Sequence, residues 1–349
     1  MSFTTKKKII AASIGLFVFI GVFFAYRAAR TVTVLGATNA SSQAWEEISA
    51  SFLEMPKKEE DRLDILIMGF RGYQQGENER GNGELLADTI MLASFNKETG
   101  RASLVSLPRD LYVDIPNYGK EKINAAYAVG ETQHYGGGGI QLMKALVSML
   151  SGVYVDYGVS INFEGLERLI DIVGGIAIHL DGPFREDKQW TQDGKEDSEY
   201  WKIETDEGGI EKWVFEIPSG SHILSGEEAL YYVRSRYATS DFDRMRRQQE
   251  VMGAFKTKIL SMGVLANPLS VFEILDTLGD NLRTDMTMSE IRTGIDLARR
   301  GMFSDVPMYA LDTSEDNFLF EEYQNYQYVL LPKAGDFKEI QNFFNSILN

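Results

Sequence analysis

The chain has 349 residues, with 35 lysines and arginines against 51 aspartates and glutamates, no cysteine and three histidines, and its formal net charge is −16. A hydrophobic fraction of 44% and an aromatic fraction of 11% exclude a disordered acidic protein, because such proteins have too little apolar surface to form a core. The lack of cysteine excludes disulfides and thiolate sites, and three scattered histidines argue against a histidine-based zinc centre. Phosphate or metal chemistry must therefore use carboxylates, arginines and backbone groups.

The first 30 residues differ in charge from the rest of the chain. Residues 1–30 contain five basic residues and no acidic one, namely Lys6, Lys7, Lys8, Arg27 and Arg30. Residues 31–349 contain all 51 acidic residues with the other 30 basic ones. This acidic part of the chain is a poor partner for nucleic acid.

An uncharged segment of 18 residues, 9–26, lies between the basic residues of the N-terminus. As a helix it would be about 27 Å long, which is enough to cross a bilayer with little tilt. The alternative is a cleavable signal peptide, whose apolar centre usually has about 7–15 residues and is followed by a small-residue cleavage site. The greater length, and Arg27 and Arg30 directly after it, favour a transmembrane helix.

The positive-inside rule predicts a cytoplasmic N-terminus, because three lysines and the terminal amine outweigh two arginines. The predicted organisation is a cytoplasmic tail at 1–8, one helix through the cell membrane at 9–26, and an extracytoplasmic linker at 27–61. The linker prediction rests on small polar residues mixed with one weakly helical piece. The rest of the chain, 62–349, would form a domain outside the cell.

From residue 62 onward, apolar runs of strand length alternate with segments of helical periodicity. The predicted strands lie at 63–70, 88–95, 102–107, 153–161, 176–180 and 327–331. The predicted helices lie at 122–129, 140–150, 163–172, 225–232, 243–262 and 337–348, and two more begin at Pro268 and Ser289. The alternation predicts a layered α/β or α+β domain, in which 264–349 is the C-terminal part.

Local signals add detail to this pattern. Residues 96–100 predict a hairpin between two strands, and Ser225 with Glu228 has the spacing of a capping box at the start of a helix. The tetraglycine 136–139 has no following Lys-Ser/Thr, and no G-x-G-x-x-G opens a helix after a strand. A P-loop or Rossmann enzyme is therefore excluded, and the tetraglycine is predicted to be a flexible turn.

Residues 185–216 differ in composition from the rest of the domain. They contain eleven acidic and five basic residues and three of the four tryptophans, Trp190, Trp201 and Trp213. We predict an inserted β-hairpin or flap. A solvated surface excursion with a few packed aromatic residues is a better interpretation of this composition than a ligand-binding role.

Several arginines lie where functional side chains are common. Arg109 follows an apolar strand in the motif Leu-Pro-Arg-Asp, a usual place for such a side chain in layered α/β proteins. Arg234 and Arg236 are two residues apart and would point the same way if their segment is extended. Two parallel guanidinium groups suit a phosphate or pyrophosphate, although a structural ion pair is the commoner role of a single arginine.

Two carboxylates that could act with these arginines also stand out in the sequence. Asp241, Arg244 and Gln248 share one helical face by their spacing, and the alternative is a solvated charged face. Asp88 opens a strand after the loop that holds Arg71. A carboxylate there could hold Mg²⁺ through oxygen, whereas a turn-capping aspartate is the ordinary alternative.

In this order, the motifs closely resemble those of the LytR–CpsA–Psr (LCP) family of membrane-anchored cell-wall enzymes. The resemblance covers about 62–260 and continues more loosely through 281–291. The matching stretches are ADTIMLASFNKETGRASLVSLPRDLYVDIP at 87–116, KINAAYAVG at 122–130, VDYGVSINFEGLERLIDIVGGIAIHLDGPF at 155–184 and LSGEEALYYVRSRYATSDFDRMRRQQEVM at 224–252. The resemblance implies a single layered domain with a central mixed β-sheet flanked by helices.

The resemblance also implies a function and a set of site residues. Members of this family transfer a polyprenyl-pyrophosphate-linked glycopolymer, such as teichoic acid or capsule, onto peptidoglycan. The family's pyrophosphate-binding arginines fall on Arg109, Arg234 and Arg236, and its acids on Asp88 and Asp241. Arg244 and Gln248 of the later helix, and Lys122 and Asn124 of the KINAAY stretch, are then expected to bind substrate.

Metal and lipid binding are further expectations of this resemblance. Asp88, with Asp241 as a second candidate, would hold Mg²⁺ or orient the attacking hydroxyl group, and the sequence does not separate these roles. The lipid needs an apolar channel, to which the helices at 140–150 and 163–172 could contribute, although core packing is the commoner use of such positions.

The chain departs from the family pattern at two positions. Gly69-Phe70-Arg71 stands where an aspartate commonly follows the first strand, and Leu86 stands where an arginine commonly precedes Asp88 by two residues. Our hypothesis is that Arg71 supplies the charge that Leu86 cannot. One carboxylate is lost in this exchange, which puts metal dependence in doubt.

Two other classes of function are open to such a sequence. One is a polyprenyl-pyrophosphate-binding or scaffolding protein with little turnover, which the altered metal site would favour. The other is a transcriptional attenuator, which is disfavoured because the predicted cytoplasmic tail has eight residues and no helix-turn-helix.

Overall fold

The computed structural model describes residues 38–52, 55–72, 85–134, 137–188, 198–205, 208–237, 239–262, 274, 277–297 and 306–348. The predicted transmembrane helix at 9–26, Trp190 and the predicted helix start at Pro268 lie outside these residues. Within them, no helix combines the length and the apolar character needed to cross a bilayer.

The centre of the fold is a mixed sheet. Its strands are β1 (Arg62–Phe70), β2 (Thr89–Asn96), β3 (Ala102–Ser106), β6 (Tyr157–Asn162), β12 (Leu282–Thr284) and β13 (Met308–Ala310). They follow the order β12-β6-β1-β2-β3-β13. β1 pairs with β2 antiparallel and with β6 parallel, and the predicted hairpin joins β2 to β3. The predicted central mixed sheet is therefore confirmed.

Helices flank this sheet on both faces. They are α1 (Thr38–Ala50), α2 (Ala126–Gln133), α3 (Gly138–Ser151), α4 (Phe163–Ile172), α5 (Gly226–Arg234), α6 (Asp241–Ser261), α7 (Met288–Leu297) and α8 (Lys338–Ser346). Along β1 the side chains alternate between the faces, because successive residues of a strand point to opposite sides. Leu66, Met68 and Phe70 are fully buried in the core that includes residues of α1, α3 and α8.

The predicted linker at 27–61 includes part of the folded domain. Residues 38–50 form α1, and its Ala44 and Ile48 are buried in the same core as α3. An apolar residue every four positions gives this helix one face that packs. The pattern of small polar residues concealed that face, so this part of the segment is not a free stalk.

The tetraglycine was predicted to be a flexible turn, and its described part has another role. Gly138 and Gly139 open α3, where a Cβ on Gly138 would lie 2.2 Å from the Gly130 carbonyl oxygen of α2. A Cβ on Gly130 would in turn lie 2.4 Å from the Gly138 carbonyl oxygen. The glycines therefore allow two helices to pack backbone to backbone, which a side chain would prevent.

A second core lies beyond the sheet, between α4, α5 and a group of short strands. These strands are β7 (Ile176–Leu180), β8 (Phe184–Glu186), β9 (Trp201–Thr205), β10 (Glu211–Ile217) and β11 (Gly220–Leu224). The Ser225 hydroxyl oxygen accepts a hydrogen bond from the Glu228 backbone amide, and the Glu228 carboxylate accepts one from the Ser225 backbone amide. The predicted capping box is thus present at the start of α5.

The acidic insertion at 185–216 contains the predicted hairpin. β9 pairs antiparallel with β10, and β10 pairs with β8. Arg185 contacts Glu204 and Glu216 across this small sheet, whereas Trp201 is buried beside Tyr231 of α5. One face therefore carries paired charges and the other packs aromatic rings.

Two further hairpins complete the fold near the end of β3. The first is β4 (Tyr112–Ile115) with β5 (Gly119–Lys122), and the second is β14 (Leu319–Gln324) with β15 (Gln327–Pro332). A bridge between Leu111 and Leu330 joins them. The described C-terminal part of the chain thus reaches the segment that carries Arg109.

Candidate functional site

A carboxylate at the start of β2 is the centre of the candidate site. The backbone amide of Asp88 donates to the Gly69 carbonyl at 2.9 Å, which fixes the turn into the strand. Its side chain accepts a hydrogen bond from Arg109 at 2.6 Å on Oδ1 and one from Arg71 at 3.3 Å on Oδ2. Both oxygens of this carboxylate are therefore paired with guanidinium groups.

Arg109 links two carboxylates that are distant in sequence. Its Nη1 atom contacts Asp88, and its Nη2 atom lies 3.3 Å from Oδ1 of Asp241, the first residue of α6. The side chain of Arg109 is only 15% exposed. A buried arginine with its planar group between two acids is held in one orientation, since both ends of the guanidinium group are engaged.

Arg244 brings a second buried guanidinium group to the same place. It lies one helical turn after Asp241 and contacts that carboxylate at 2.9 Å. Arg244 is 4% exposed. Within the described residues, its buried Nε atom has no hydrogen-bond partner. A buried donor left unpaired costs free energy, so an anionic ligand that accepted from Arg244 would remove that cost.

The charges in this cluster shift one another's pKa values. Burial acts to raise the pKa of Asp88, but Arg109, Arg244 and Arg71 outweigh it and hold that pKa below the usual range. Burial acts to lower the pKa of Arg109, and Asp241 and Asp88 raise it instead. Burial lowers the pKa of Arg244, and the positive charge of Arg109 adds to this effect. Asp88 is therefore an anion at neutral pH.

An apolar cavity of about 430 Å³ opens beside this cluster. Its walls come from β1 and β6 of the sheet and from α4, α5 and α6 above it. Apolar wall residues include Val159, Ile161, Leu166, Leu169, Met252 and Phe255. At one end the lining becomes charged, with Asp88, Arg71, Arg234, Arg236 and Arg244. Gln248 also lines the cavity.

Arg234 and Arg236 reach the cavity in a way that the sequence did not predict. The expectation that the two side chains point the same way required an extended segment, but Arg234 is the last residue of α5 and Arg236 follows the helix end. The guanidinium carbon of Arg234 lies 4.7 Å from the ring centre of Phe163, and that of Arg236 lies 5.0 Å from the ring centre of Tyr237. Stacking on aromatic rings, rather than strand alternation, orients these two side chains.

Arg247 holds this helix end and was missed from the sequence. Its Nε atom donates to the Tyr232 carbonyl at 3.0 Å, and its Nη2 atom donates to the Ser235 carbonyl. Tyr232 lies in the last turn of α5 and Ser235 follows the helix directly, and carbonyl groups at a helix end have no partner within the helix. Arg247 therefore positions the segment that carries Arg234 and Arg236. It follows Arg246 in a run of basic residues, where nothing in the sequence distinguishes one from the other.

Lys122 and Asn124 lie behind the charged cluster and outside the cavity wall. Lys122 contacts Asp110 at 2.6 Å. The backbone of Asn124 donates to the Arg109 carbonyl at 3.2 Å and accepts from the Ala87 amide at 3.0 Å. These contacts fix the chain next to Asp88 and Arg109. In this structure they position the site residues.

The apolar wall agrees only in part with the expected channel. The helix expected at 163–172 is α4, and its Leu166 and Leu169 line the cavity. The helix expected at 140–150 is α3, whose Leu142, Met143 and Val147 are buried on the opposite face of the sheet. These residues of α3 therefore have the core-packing role that was expected to be the commoner one, because sequence periodicity shows that a face is apolar but not what covers it.

The resemblance to the LCP family suggests Mg²⁺ as a cofactor of this site. The described residues contain no group of three or more acidic or histidine side chains that could hold a metal ion. Mg²⁺ at phosphate sites usually takes one or two protein carboxylates together with phosphate oxygens and water. Asp88 and Asp241, both in contact with Arg109, match that number and type of ligand.

The chain is similar to a known protein family in sequence and in fold. The sequence model of the LytR_cpsA_psr family matches residues 22–343. The polyisoprenyl-teichoic acid–peptidoglycan teichoic acid transferase TagU of Enterococcus faecalis is 31% identical over 66% of this chain and 63% of its own length. TagT of Bacillus subtilis, of the same description, is 30% identical over 66% of this chain and 62% of its own length. The match thus spans less than two thirds of these relatives.

The fold comparison agrees with the sequence comparison. A crystal structure of protein gbs0355 from Streptococcus agalactiae superposes with a TM-score of 0.62. It is 24% identical in sequence, and the match covers 82% of this chain and 88% of that one. Likeness at this identity supports the fold alone.

Proposed function

Because the chain belongs to the LytR_cpsA_psr family, we propose that it is a phosphotransferase of cell-wall assembly. In this proposal it transfers a glycopolymer from a polyprenyl-pyrophosphate carrier onto peptidoglycan. The names of the two teichoic acid transferases support teichoic acid as the class of glycopolymer and peptidoglycan as the acceptor.

One observation carries the proposal, namely the charged cluster at the end of an apolar cavity. A polyprenyl pyrophosphate is apolar along its chain and anionic at one end. The cavity offers the same division, with Val159 and Leu166 in its wall and Arg236 and Arg244 at its end. Within the described residues, the buried Nε atom of Arg244 is unpaired, and a phosphate oxygen would accept its hydrogen bond.

The proposed reaction forms one phosphodiester bond and breaks one pyrophosphate bond. A hydroxyl oxygen of the acceptor bonds to the phosphorus that carries the glycopolymer, and the bond from this phosphorus to the bridging oxygen breaks. Polyprenyl phosphate leaves with the bridging oxygen. Asp88, held as an anion by Arg109 and Arg71, orients the hydroxyl group and accepts its proton, which then passes to solvent. Arg109 and Arg244 offset the charge of the transition state.

The proposal includes Mg²⁺, for which Asp88 and Asp241 would be the protein ligands. When bound it would neutralise charge on the phosphate oxygens. Arg71 already contacts Oδ2 of Asp88, so a metal ion would compete with that contact. Arg71 occupies the place where the family commonly has a carboxylate, and its 3.3 Å contact supports the hypothesis that it supplies charge to the site.

The proposal is tested by a single-turnover assay of the full chain in detergent. The substrates are a synthetic polyprenyl-pyrophosphate-linked saccharide and a peptidoglycan oligomer, with and without Mg²⁺. We expect a new saccharide–glycan phosphodiester and an equal amount of polyprenyl phosphate. Tight binding of the donor without transfer would contradict the proposal and would favour a binding or scaffolding protein.

Replacing Arg71 with alanine tests its role in the same assay. We expect the transfer rate to fall about tenfold, less than for a fully buried donor, because the Arg71 side chain is half exposed and screened by water. Arg246→Ala is the matched control, since Arg246 is an exposed arginine of α6 paired with Asp243. A wild-type rate in Arg71→Ala would disprove the compensation by Arg71.

We also propose that residues 9–26 anchor the chain in the cell membrane, with residues 1–8 in the cytoplasm and the domain outside. The chain has no cysteine, so single-cysteine variants can be labelled without background. A membrane-impermeant maleimide should label Ser261→Cys, at the exposed end of α6, in intact cells. Ser2→Cys should react only after permeabilisation. The reverse pattern would contradict this orientation.

A further inference from the structure

The hairpin of β14 and β15 ends in a strained turn with a tyrosine at its tip. Asn325 and Tyr326 have φ angles of 50° and 65°. Two positive φ angles define the tight turn that fits a β-hairpin, and glycine or asparagine is the usual residue there. Tyr326 is fully exposed, so burial of its ring does not offset the strain. A residue that has a strained backbone conformation and no packing role is a candidate for a functional role.

Two further tyrosines share one face of this hairpin. The register places Tyr323 opposite Tyr328 and Glu321 opposite Leu330, so these residues lie on the same face. The rings of Tyr323 and Tyr328 are 6.0 Å apart at 74°. Tyr323 is 73% exposed. The strand alternation puts Phe320 on the other face, which makes that residue a natural control.

The hairpin is attached directly to the catalytic cluster. The Leu330 amide donates to the Asp110 carbonyl at 2.9 Å, and Asp110 is the residue after Arg109. Burial raises the pKa of Tyr328, and the negative charges of Glu321, Asp110 and Asp241 raise it further. Tyr328 is therefore close enough to the cluster to respond to its carboxylates.

The hairpin and the described lining of the apolar cavity meet the charged cluster at different residues. The described lining of the cavity contains no residue of β14 or β15. Asp88 and Arg244 belong to that lining, whereas Arg109 links Asp88 to Asp110 and hence to β15. A transfer reaction needs room for two substrates, and the hairpin contacts the segment of Arg109 without lining the described cavity.

We propose that Tyr323, Tyr326 and Tyr328 form a subsite that binds the sugar chain of the acceptor. The inference deepens the phosphotransferase function proposed above and rests on it. The C–H faces of a pyranose ring pack on aromatic rings, and tyrosine provides a large, rigid surface at low entropic cost. The carboxylate of Glu321, on the same face as Tyr323 and Tyr328, accepts hydrogen bonds from sugar hydroxyl groups.

The chemistry of the hairpin favours a neutral polar chain over a bilayer. Glu321 and Glu322 of β14 lie within a few residues of the exposed tyrosines. Anionic lipid headgroups repel such carboxylates, whereas the hydroxyl groups of a glycan donate hydrogen bonds to them. The occupant is therefore a glycan, and binding to anionic vesicles is an outcome that would overturn the proposal.

The test compares the full wild-type chain in detergent with the double variant Tyr323→Ala/Tyr326→Ala and with Phe320→Ala. Both altered tyrosines are exposed, so the fold is expected to persist, and thermal unfolding checks this. Binding of a peptidoglycan glycan oligomer is measured by calorimetry without donor. We expect the double variant to bind about tenfold more weakly, because each aromatic contact changes affinity several-fold. Phe320→Ala should bind as the wild type does.

A second measurement separates this proposal from the proposed function. With the donor saturating, the KM for the acceptor should rise about tenfold in the double variant, and the affinity for the pyrophosphate lipid should not change. Unchanged oligomer binding in the double variant, or an equal loss in Phe320→Ala, would overturn the subsite. If the wild-type chain binds the oligomer through these tyrosines but transfers nothing, the phosphotransferase function fails while the glycan site stands.

Discussion

Replacing Arg109 with alanine is expected to lower the rate of glycopolymer transfer about 10³-fold, which corresponds to about 4 kcal/mol of transition-state stabilisation. Arg109 contacts both Asp88 and Asp241, so its loss removes the link between two carboxylates and the positive charge that the proposed mechanism uses to offset the transition state. These acids would then repel each other and the anionic substrate. The measurement is single turnover at saturating donor and acceptor.

The same variant should change the pH dependence of transfer. Arg109 is the largest of the charge effects that lower the pKa of Asp88, while burial acts to raise it. Without Arg109, burial is less opposed, the pKa of Asp88 rises, and the acid limb of the rate profile moves to higher pH. In the wild type, a lowered pKa contributes stability above the unfolded value, near pH 4, and this stability is lost as pH falls through the folded pKa. The variant should therefore lose stability at neutral pH.

Arg109→Lys is the matched control for charge. A lysine keeps one positive charge but has no planar group that could contact Asp88 and Asp241 at once. We expect Arg109→Lys to recover part of the stability and little of the rate. Near wild-type transfer in either variant, with the fold intact by thermal unfolding, would show that Arg109 acts only as a structural ion pair.

A substitution that fills the apolar cavity should also lower the rate of transfer strongly. Val159 of β6 lines the apolar cavity, and Val159→Trp places an indole ring in a space of about 430 Å³. We expect transfer from a long-chain polyprenyl donor to fall about 100-fold, because the apolar chain loses its binding surface. The pyrophosphate-binding residues are unchanged in this variant.

Two comparisons make the cavity experiment specific. A donor with a short prenyl chain should lose much less than the long-chain donor, since it needs less of the cavity. Val159→Ala, which enlarges the cavity at the same position, should retain transfer within a few-fold of the wild type. An equal loss with both donors would mean that the tryptophan disturbs the site itself and that the chain does not lie in this cavity.

The sequence predicted best the positions of those site residues that lie on a single helix or at the end of a single strand. Asp241, Arg244 and Gln248 were placed on one helical face by spacing, and α6 begins at Asp241 as that spacing requires. Asp88 and Arg109 were expected at strand ends and are found there, 2.6 Å apart. Local periodicity determines such positions, because it depends on neighbours in the chain.

The rest of the site depends on contacts between distant residues. The wall at Val159, the pairing of Lys122 with Asp110 and the anchoring of α5 by Arg247 arise only when the chain is folded. An apolar residue in a strand can face a packed core or a cavity, and periodicity does not distinguish these outcomes. The tyrosine face of β14 and β15 needs the hairpin register as well.

The packing of α1 against the core limits how far the domain can stand from the membrane. Residues 38–50 are part of the folded domain, so only residues 27–37 remain between it and the proposed anchor at 9–26. Eleven residues span at most about 40 Å when fully extended. With the chain anchored as proposed, the start of α1 is therefore held within about 40 Å of the bilayer. The proposed anchor thus confines the domain to the part of the cell envelope next to the membrane, where a lipid-linked donor would lie.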